Sequence, residues 1–353
     1  MSERVKVGII GTSWWTELMF LPSLKSHPGA EIVAICGRNG ERTAALAEHH
    51  GIPKAFTAYP ELLKSGIEAV VIATPDDMHR EMTLAAIDAG LHVLCEKPMA
   101  LAGGDAAEML ARADGAGIKH LTHFTWHWQP HFQHLKAMIG DNFVGRPLRA
   151  QFRFNGGKGP SADYQWRLDA SRATGVLGDL GSHMIHMAQW LMGPISSVLA
   201  DAPVMIERDM AKPANDTAHM ILRFGSGAQG VIDVTTLGHQ DCACVISASI
   251  DGEDGSIEVE HTVLGPRNGL RFTATRRGGA TETVVVPDAL YGAMPRDDFM
   301  APFLGASAGA RHFIDAIQGG FRPEPGFDAG LAVQTVMDAA LRSSRERQWV
   351  EIG

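Results

Sequence analysis

Short runs of β-branched and other apolar residues recur along the first part of the chain, separated by stretches of helical composition. The strand-like runs cover residues 5–10, 30–36, 69–73, 92–95 and 118–122. Strong helix formers dominate residues 41–49 and 78–89 between them. This alternation predicts about six strands in a doubly wound parallel sheet, with the helices as crossover connections.

The pattern changes after residue 125. Alternating strands follow between residues 148 and 286, separated by glycine-rich turns at 224–228, 251–255 and 278–279. Closely spaced turns are typical of hairpins and predict an open, mainly antiparallel sheet. A helix at 179–192 interrupts it, and a helical stretch at 311–345 with a Pro-Gly break closes the chain. We therefore predict two α/β domains, at residues 1–122 and 123–353.

Composition and charge narrow the class of protein. The chain has 353 residues, of which 45% are hydrophobic and 20% charged, as expected for two globular domains. Its net charge of −9 disfavours nucleic acid and anionic membranes as partners. No signal-peptide-like stretch precedes the first strand. Four cysteines, Cys36, Cys95, Cys242 and Cys244, show no disulfide framework. We expect a soluble cytoplasmic protein with reduced thiols.

The turn after the first strand is the first candidate binding site. A dinucleotide fingerprint places glycines at positions 11, 13 and 16, but only Gly11 is present. Ser13 is small enough to admit a phosphate, whereas Thr16 is bulkier than usual. A plain strand–turn–helix remains an alternative, although the position at the head of an alternating α/β domain favours a dinucleotide.

The end of the second strand bears on the choice of cofactor. NAD enzymes usually place an acidic side chain here to hold the ribose 2′-hydroxyl, but the sequence has Gly37 followed by Arg38. The guanidinium of Arg38 suits a 2′-phosphate. This favours NADP over NAD, with an ordinary surface arginine as the alternative.

Lys97 follows a strand whose carboxyl end is a preferred ligand position in open α/β sheets. Pro98 fixes the local backbone and is a candidate for a cis peptide bond. By position alone, Lys97 fits a catalytic residue and a surface loop lysine equally well.

A second cluster of chemistry-bearing residues opens the predicted helix at 179–192. On a helix, Asp179, His183 and His186 share one face. An imidazole near the helix N-terminus is favoured as the neutral base, and Asp179 could orient it. The alternative is a capping aspartate beside buried, hydrogen-bonded histidines.

Histidines at positions 120, 123, 127, 131 and 134 are interleaved with Trp126 and Trp128. They do not share one helix or strand, because Pro130 interrupts the pattern, so we expect no metal site. A polar, aromatic substrate wall is favoured over a metal centre, and a packed domain junction explains the pattern equally well.

Several motifs together resemble the glucose–fructose oxidoreductase, inositol dehydrogenase and MocA family. They are Val7-Gly8-Ile9-Ile10-Gly11, Thr74-Pro75-Asp76-Asp77-Met78-His79, Glu96-Lys97-Pro98, Trp166-Arg167, Asp179-Leu180-Gly181-Ser182-His183, and the ending from Ser343-Ser344 to Val350-Glu351-Ile352.

The resemblance implies an N-terminal Rossmann domain and a C-terminal α/β domain for substrate binding and oligomerisation, as a homodimer or homotetramer. It implies that Lys97 and His183 flank the nicotinamide, with Asp179 supporting them as the third catalytic residue. The cofactor contacts it implies are Gly11, Ser13, Trp15, Arg38, Thr74, Pro75, Glu96, Lys97, Trp166 and Arg167.

Ser13 and Thr16 depart from the family pattern on the cofactor side, and two further departures lie near the substrate side. Thr125-Trp126-His127 stands where Asn-Tyr-Arg is usual, and His186 replaces a common aspartate. We expect Trp126, His127 and His186 to contact an unusual substrate, not simply inositol or glucose. Asp76, where asparagine is common, is a further departure.

The leading hypothesis is an NADP- or NAD-dependent oxidoreductase acting on a sugar, polyol or sugar derivative. One alternative is a glycosidase or lyase that works by transient oxidation, with the nicotinamide regenerated in each cycle. Another is a catalytically silent ligand sensor, against which the joint presence of Lys97, Asp179 and His183 argues.

Overall fold

A computed structural model describes residues 4–157, 159, 165–239, 243–263, 265–292, 294–296, 301 and 308–353. The chain divides into two compact units. The first comprises Met1–Thr125 and Ala301–Gln334, and the second comprises Trp126–Met300 and Thr335–Gly353. The segment Ala301–Gln334 thus groups with the first unit, although it lies within the range 123–353 predicted for the second domain.

The first unit is built on a six-stranded sheet in which every strand pair is parallel. In chain order its strands are Val5–Ile10 (β1), Ala30–Cys36 (β2), Lys54–Phe56 (β3), Ala69–Ile72 (β4), His92–Glu96 (β5) and His120–His123 (β6). The spatial order is β3-β2-β1-β4-β5-β6, so the winding reverses between β1 and β4. Every residue of β4 is buried, as a strand covered on both faces requires. The predicted doubly wound sheet is confirmed.

Helices connect these strands and continue into the rest of the chain. They are Leu21–Lys25 (α1), Gly40–His50 (α2), Tyr59–Leu63 (α3), His79–Asp88 (α4), Gly103–Ala116 (α5), Pro130–Gly140 (α6), Ser182–Met192 (α7), Ala308–Gly319 (α8) and Phe327–Glu346 (α9). Local chemistry sets the bounds of α2: the Asn39 side chain accepts a hydrogen bond from the Arg42 amide at 2.9 Å, and Gly51 ends the helix in a left-handed conformation.

The returning segment Ala301–Gln334 is bound to the first unit by α8 and by specific polar contacts. Phe313 and Ile314 of α8 are fully buried. His27 Nε2 lies 2.9 Å from Asp315 Oδ1, and the Phe327 amide donates to His120 Nδ1 at 3.0 Å. These contacts explain why a segment so distant in sequence belongs to this unit.

The second unit contains a nine-stranded mixed sheet in the order β14-β13-β12-β11-β7-β10-β9-β8-β15. Its strands are Pro147–Asn155 (β7), Ile195–Asp201 (β8), Thr217–Phe224 (β9), Gln229–Thr235 (β10), Cys244–Gly252 (β11), Gly255–Val263 (β12), Gly269–Arg276 (β13), Thr281–Thr283 (β14) and Val350–Glu351 (β15). Strands β7 and β10 pair in parallel, and the other paired neighbours run antiparallel. Buried and exposed positions alternate along β9, as expected for a sheet with one covered face. The predicted open, mainly antiparallel sheet is confirmed.

One helix begins differently from its prediction. A single helix was expected over 179–192, whereas a π-helical turn at Leu177–Gly181 precedes α7. Asn215 stabilises this turn, because its side chain accepts from the Leu177 amide at 2.8 Å and donates to the Thr174 carbonyl at 2.9 Å. Asp179 therefore lies in the π-helical turn, and His183 lies in the first turn of α7.

Candidate active site

Gly11 follows β1 at the point where the strand order of the first unit reverses. Its φ is +119°, and a Cβ at this position would lie 2.3 Å from the Ala73 carbonyl oxygen after β4. The Gly11 amide donates to the Cys36 carbonyl at 2.8 Å. The backbone of three neighbouring strand ends therefore converges where only glycine fits. Gly11 therefore provides the tight turn that a dinucleotide fingerprint requires of its first glycine.

The next two fingerprint positions have different surroundings. Ser13 is exposed, and its Oγ accepts a long hydrogen bond from the Thr16 amide at 3.4 Å. Thr16 is fully buried. Ser13 thus leaves room for a phosphate at the surface, whereas Thr16 fills the interior at the position where the usual third glycine allows close helix–strand packing.

The turn after β2 leaves no room for an acidic side chain. Gly37 is buried, and a Cβ there would lie 2.5 Å from Thr12 Oγ1 and 2.7 Å from Thr43 Oγ1. Arg38 is exposed beside it. Arg42 was not predicted to lie here, and its Nε donates to the Thr12 carbonyl at 2.6 Å. Its position in the first turn of α2, four residues after Arg38, was the available signal.

The loops after β4 and β5 are joined by a buried histidine that the sequence analysis did not single out as functional. His79 Nδ1 lies 2.8 Å from the Pro98 carbonyl oxygen, and Nε2 lies 3.0 Å from the Thr74 carbonyl oxygen. Burial lowers the pKa of His79, although both carbonyls oppose this. The imidazole connects Thr74-Pro75 with Lys97-Pro98, whose peptide bond is cis.

Glu96 is buried beside Lys97 and accepts three hydrogen bonds. Its Oε1 lies 2.8 Å from Trp15 Nε1 and 3.0 Å from His123 Nδ1, and its Oε2 accepts from the Lys97 amide at 3.1 Å. Burial alone would raise the pKa of this carboxyl. Hydrogen bonds from His123 and Trp15, with the charges at His123 and Lys97, outweigh burial and lower the pKa below its usual value.

The second unit brings together another group of predicted site residues. Arg167 Nε lies 3.3 Å from Asp179 Oδ1, and the Arg167 guanidinium lies 4.5 Å from the Trp166 ring centroid. The arginine is therefore held between a carboxylate and an indole. Asp179 is therefore the partner of Arg167 in an ion pair.

His183 lies on α7 with 7% of its surface exposed. The Trp126 ring centroid is 6.4 Å from that of His183 in an edge-to-face arrangement, and Phe154 lies 6.0 Å away. Trp126 is itself buried and packs edge-on against Phe154. Aromatic side chains thus restrict the orientation of the His183 imidazole.

His127 and His186 form a direct contact, with His127 Nδ1 3.1 Å from His186 Nε2. The ring of Trp190 lies 4.3 Å from that of His127. Burial, and then the neighbouring His127, lower the pKa of His186 well below its ordinary value. His186 is therefore favoured as a neutral imidazole in contact with His127, in a polar arrangement with an aromatic wall.

The remaining histidines of the 120–134 stretch lie apart from this pair. His120 contacts Asp114 in the first unit, whereas His131 packs on His261 in the second, with ring centroids 4.6 Å apart. Across the described residues, no group of three or more potential ligands is arranged to hold a metal ion.

Cys36, Cys95 and Cys244 are free thiols, and Cys242 lies outside the described residues. Within the same ranges, no helix is long and apolar enough to cross a membrane.

Comparison with known proteins covers both units. A sequence profile described as "Oxidoreductase family, NAD-binding Rossmann fold" matches residues 5–123, and one described as "Oxidoreductase family, C-terminal alpha/beta domain" matches residues 136–352. The solved structure of levoglucosan dehydrogenase in complex with NADH is 26% identical, with a TM-score of 0.88 over 99% of this chain and 100% of that chain.

Curated relatives include the levoglucosan dehydrogenase of Pseudarthrobacter phenanthrenivorans, 26% identical over 99% of this chain and 98% of the relative. The scyllo-inositol 2-dehydrogenase (NADP(+)) of Bacillus subtilis is 26% identical over 80% of this chain and 83% of its own. With both profiles matched in order along the chain, the protein belongs to the glucose–fructose oxidoreductase, inositol dehydrogenase and MocA family and is an NAD(P)-dependent oxidoreductase.

Proposed function

We propose that this protein transfers a hydride between NADP and a hydroxyl-bearing carbon of a sugar, polyol or sugar derivative. Gly11 carries the proposal, because its φ of +119° and the close approach of the Ala73 carbonyl form, at the reversal of strand order, the tight turn that a dinucleotide fingerprint requires of its first glycine. Relatives named for levoglucosan, D-apiose and scyllo-inositol support the substrate class.

In this proposal the bound nicotinamide supplies the hydride acceptor or donor, and the chain supplies positioning and proton transfer. His183 takes the proton from the substrate hydroxyl as general base. Lys97 donates a hydrogen bond to the same oxygen and stabilises its developing negative charge. Asp179, paired with Arg167 at 3.3 Å, supports the charge that His183 acquires.

The preference for NADP rests on the turn after β2. An acidic side chain at position 37 would collide with Thr12 and Thr43, so the usual partner of the ribose 2′-hydroxyl is absent there. Arg38 is exposed at the adjacent position, and Arg42 lies one turn further on. Two guanidinium groups suit a 2′-phosphate.

The neighbouring predicted contacts are assigned as follows. Ser13, Thr74 and Pro75 contact the cofactor, and Trp15 borders the nicotinamide, with Glu96 behind it. Trp166 contributes to cofactor binding through the arginine that it stacks on. His127 and His186 contact the substrate, and Trp126 acts through its packing beside His183.

We also propose that the protein is cytoplasmic and assembles as a homodimer or homotetramer through the open sheet of the second unit. Ile221 and Val231 are exposed on neighbouring strands of that sheet, at 46% and 37%. Apolar side chains on an open face favour association. Light scattering after size-exclusion chromatography measures the oligomer size.

Cofactor titration followed by a substrate screen tests the proposal. NADPH and NADH are added separately to the purified protein, and fluorescence reports binding. Tight NADPH binding with weak NADH binding, and turnover of a sugar or polyol with NADP⁺, are expected. Product formation without net change in cofactor would instead indicate transient oxidation. Binding of neither nucleotide would refute the proposal and favour a ligand sensor.

A further inference from the structure

Trp15, Glu96 and His123 form a hydrogen-bonded triad inside the first unit. Both side-chain contacts reach the same carboxylate oxygen, Oε1 of Glu96, at 2.8 Å from the indole and 3.0 Å from the imidazole. Glu96 and His123 are paired residues at the carboxyl ends of β5 and β6. The triad therefore lies at the edge of the sheet where parallel α/β sheets bind ligands.

The indole of Trp15 is held from several sides. Trp14 packs edge-on against it at 5.4 Å between ring centroids. Phe20 packs on the imidazole of His123 at 5.0 Å, which fixes the far end of the triad. Glu96 is 6% exposed, so its contact with the indole N–H is shielded from water. Trp15 itself is half-buried, which leaves part of its ring surface available to a ligand.

The charge of Glu96 acts directly on the indole. The lowered pKa of this carboxyl keeps it ionised at neutral pH. A carboxylate that accepts from the indole N–H adds negative potential to a ring whose face already attracts cations. Lys97 and His123 face the same carboxylate, and His79, the first residue of α4, lies between the loops after β4 and β5. The positive charge of Lys97 acts on a cationic ring in the opposite sense to Glu96, so the contribution of the carboxylate is measured by removing its charge alone while Lys97 is kept.

We propose that Glu96, acting through the indole of Trp15, makes this protein bind the oxidised nicotinamide cofactor more tightly than the reduced one. The inference rests on the proposed function, in which Trp15 borders the nicotinamide. The oxidised ring carries a positive charge and the reduced ring is neutral, so an electron-rich indole backed by a carboxylate attracts the first selectively. Glu96 is a positioning residue here, since its contacts are with Trp15, His123 and the Lys97 amide.

Binding measurements on two variants test the proposal. Glu96→Gln keeps the shape of the side chain and removes its charge, and Trp15→Phe keeps an aromatic ring and removes the N–H. Calorimetric titrations use three probes: NADP⁺, NADPH and 2′-phospho-ADP-ribose, which lacks the nicotinamide. Glu68→Gln is the matched control, because Glu68 also accepts from a backbone amide in the first unit, that of Lys6 at 2.9 Å.

We expect Glu96→Gln to weaken NADP⁺ binding about fivefold while leaving NADPH and the truncated nucleotide unchanged. Trp15→Phe should shift the ratio of the two affinities in the same direction, and the double variant should add little. If Glu96→Gln weakens all three probes equally, Glu96 has only a structural role and the inference is overturned. If Glu96→Gln does not fold, Trp15→Phe decides: an unchanged ratio of NADP⁺ to NADPH affinity in this variant also overturns the inference. If no probe binds the native protein, the proposed function itself fails.

Discussion

Acidification should destabilise the second unit, because its interior holds imidazoles that take up protons when the chain unfolds. His261 on β12 is 1% exposed, and its ring lies 4.6 Å from that of His131 and 6.0 Å from that of Trp126. Burial lowers the pKa of His261 from 6.5 to about 4. The unfolded chain therefore binds a proton at this side chain at a pH where the folded chain does not.

The sign and size of the effect follow from this difference. A histidine whose folded pKa is lowered contributes its stability fully above about pH 6.5 and loses it as the pH falls toward 4. At about 1.4 kcal/mol for each pKa unit, the difference between the unfolded and folded pKa of His261 corresponds to about 3 kcal/mol of unfolding free energy. About 2 kcal/mol of this is lost when the pH falls to 5. Burial also lowers the pKa values of His131 and His186, so they add to the effect.

Urea denaturation at pH 7.5 and pH 5 measures the free energy of unfolding in both conditions. His261→Phe keeps an aromatic ring in the same packing and removes the ionisable group. We expect this variant to lose about 2 kcal/mol less than the native chain between the two pH values. The same substitution at His49, which is exposed on α2, serves as the control. A His261→Phe variant with the full native pH dependence would refute the reasoning.

Three further predictions concern the candidate site. Gly11→Ala should abolish cofactor binding and lower the Tm, because the added methyl clashes with the Ala73 carbonyl and alanine disfavours the positive φ. Gly66→Ala is the control, since Gly66 has a φ of +86° but open space around it, so its change in Tm measures the cost of the positive φ alone. Arg38→Ala should weaken NADPH much more than NADH in fluorescence titrations, and equal losses would contradict a 2′-phosphate contact. His183→Ala should lower kcat about 10²–10⁴-fold while calorimetric NADP⁺ binding stays near normal, and unchanged turnover would exclude it as the general base.

Hydrophobic patterning was sufficient to predict the fold class, because buried parallel strands appear as apolar runs in the sequence. Strand β3 at Lys54–Phe56 was missed for the corresponding reason: it is short, and two of its three residues are exposed. The sequence pattern also did not indicate that the segment Ala301–Gln334 belongs to the first unit. An amphipathic helix such as α8 shows that it buries one face, but not which sheet receives that face.

Gly11, Lys97 and His183 were assigned to the site because chemistry and position in a motif coincide there, and these assignments stay predictions. Contacts between distant side chains were not predictable. Glu96 and His123 are 27 positions apart and meet because β5 and β6 pair in register. Periodicity identifies the strands but does not fix which residues end them. The π-helical turn before α7 was missed because Asn215, which stabilises it, lies on a distant segment of the chain.

The crowding at Gly37 constrains how this family member can evolve. A carboxylate entering at this position would collide with Thr12 and Thr43, each within 2.7 Å of the added Cβ. A lineage that moves toward NAD by this substitution must therefore first accept a smaller residue at position 12 or 43, or shift the turn. Positions 12, 37 and 43 should accordingly covary among relatives, and the order in which their substitutions accumulate should be restricted. The same crowding gives a practical rule for redesign: variants that change the nucleotide preference should be built as combinations at these positions.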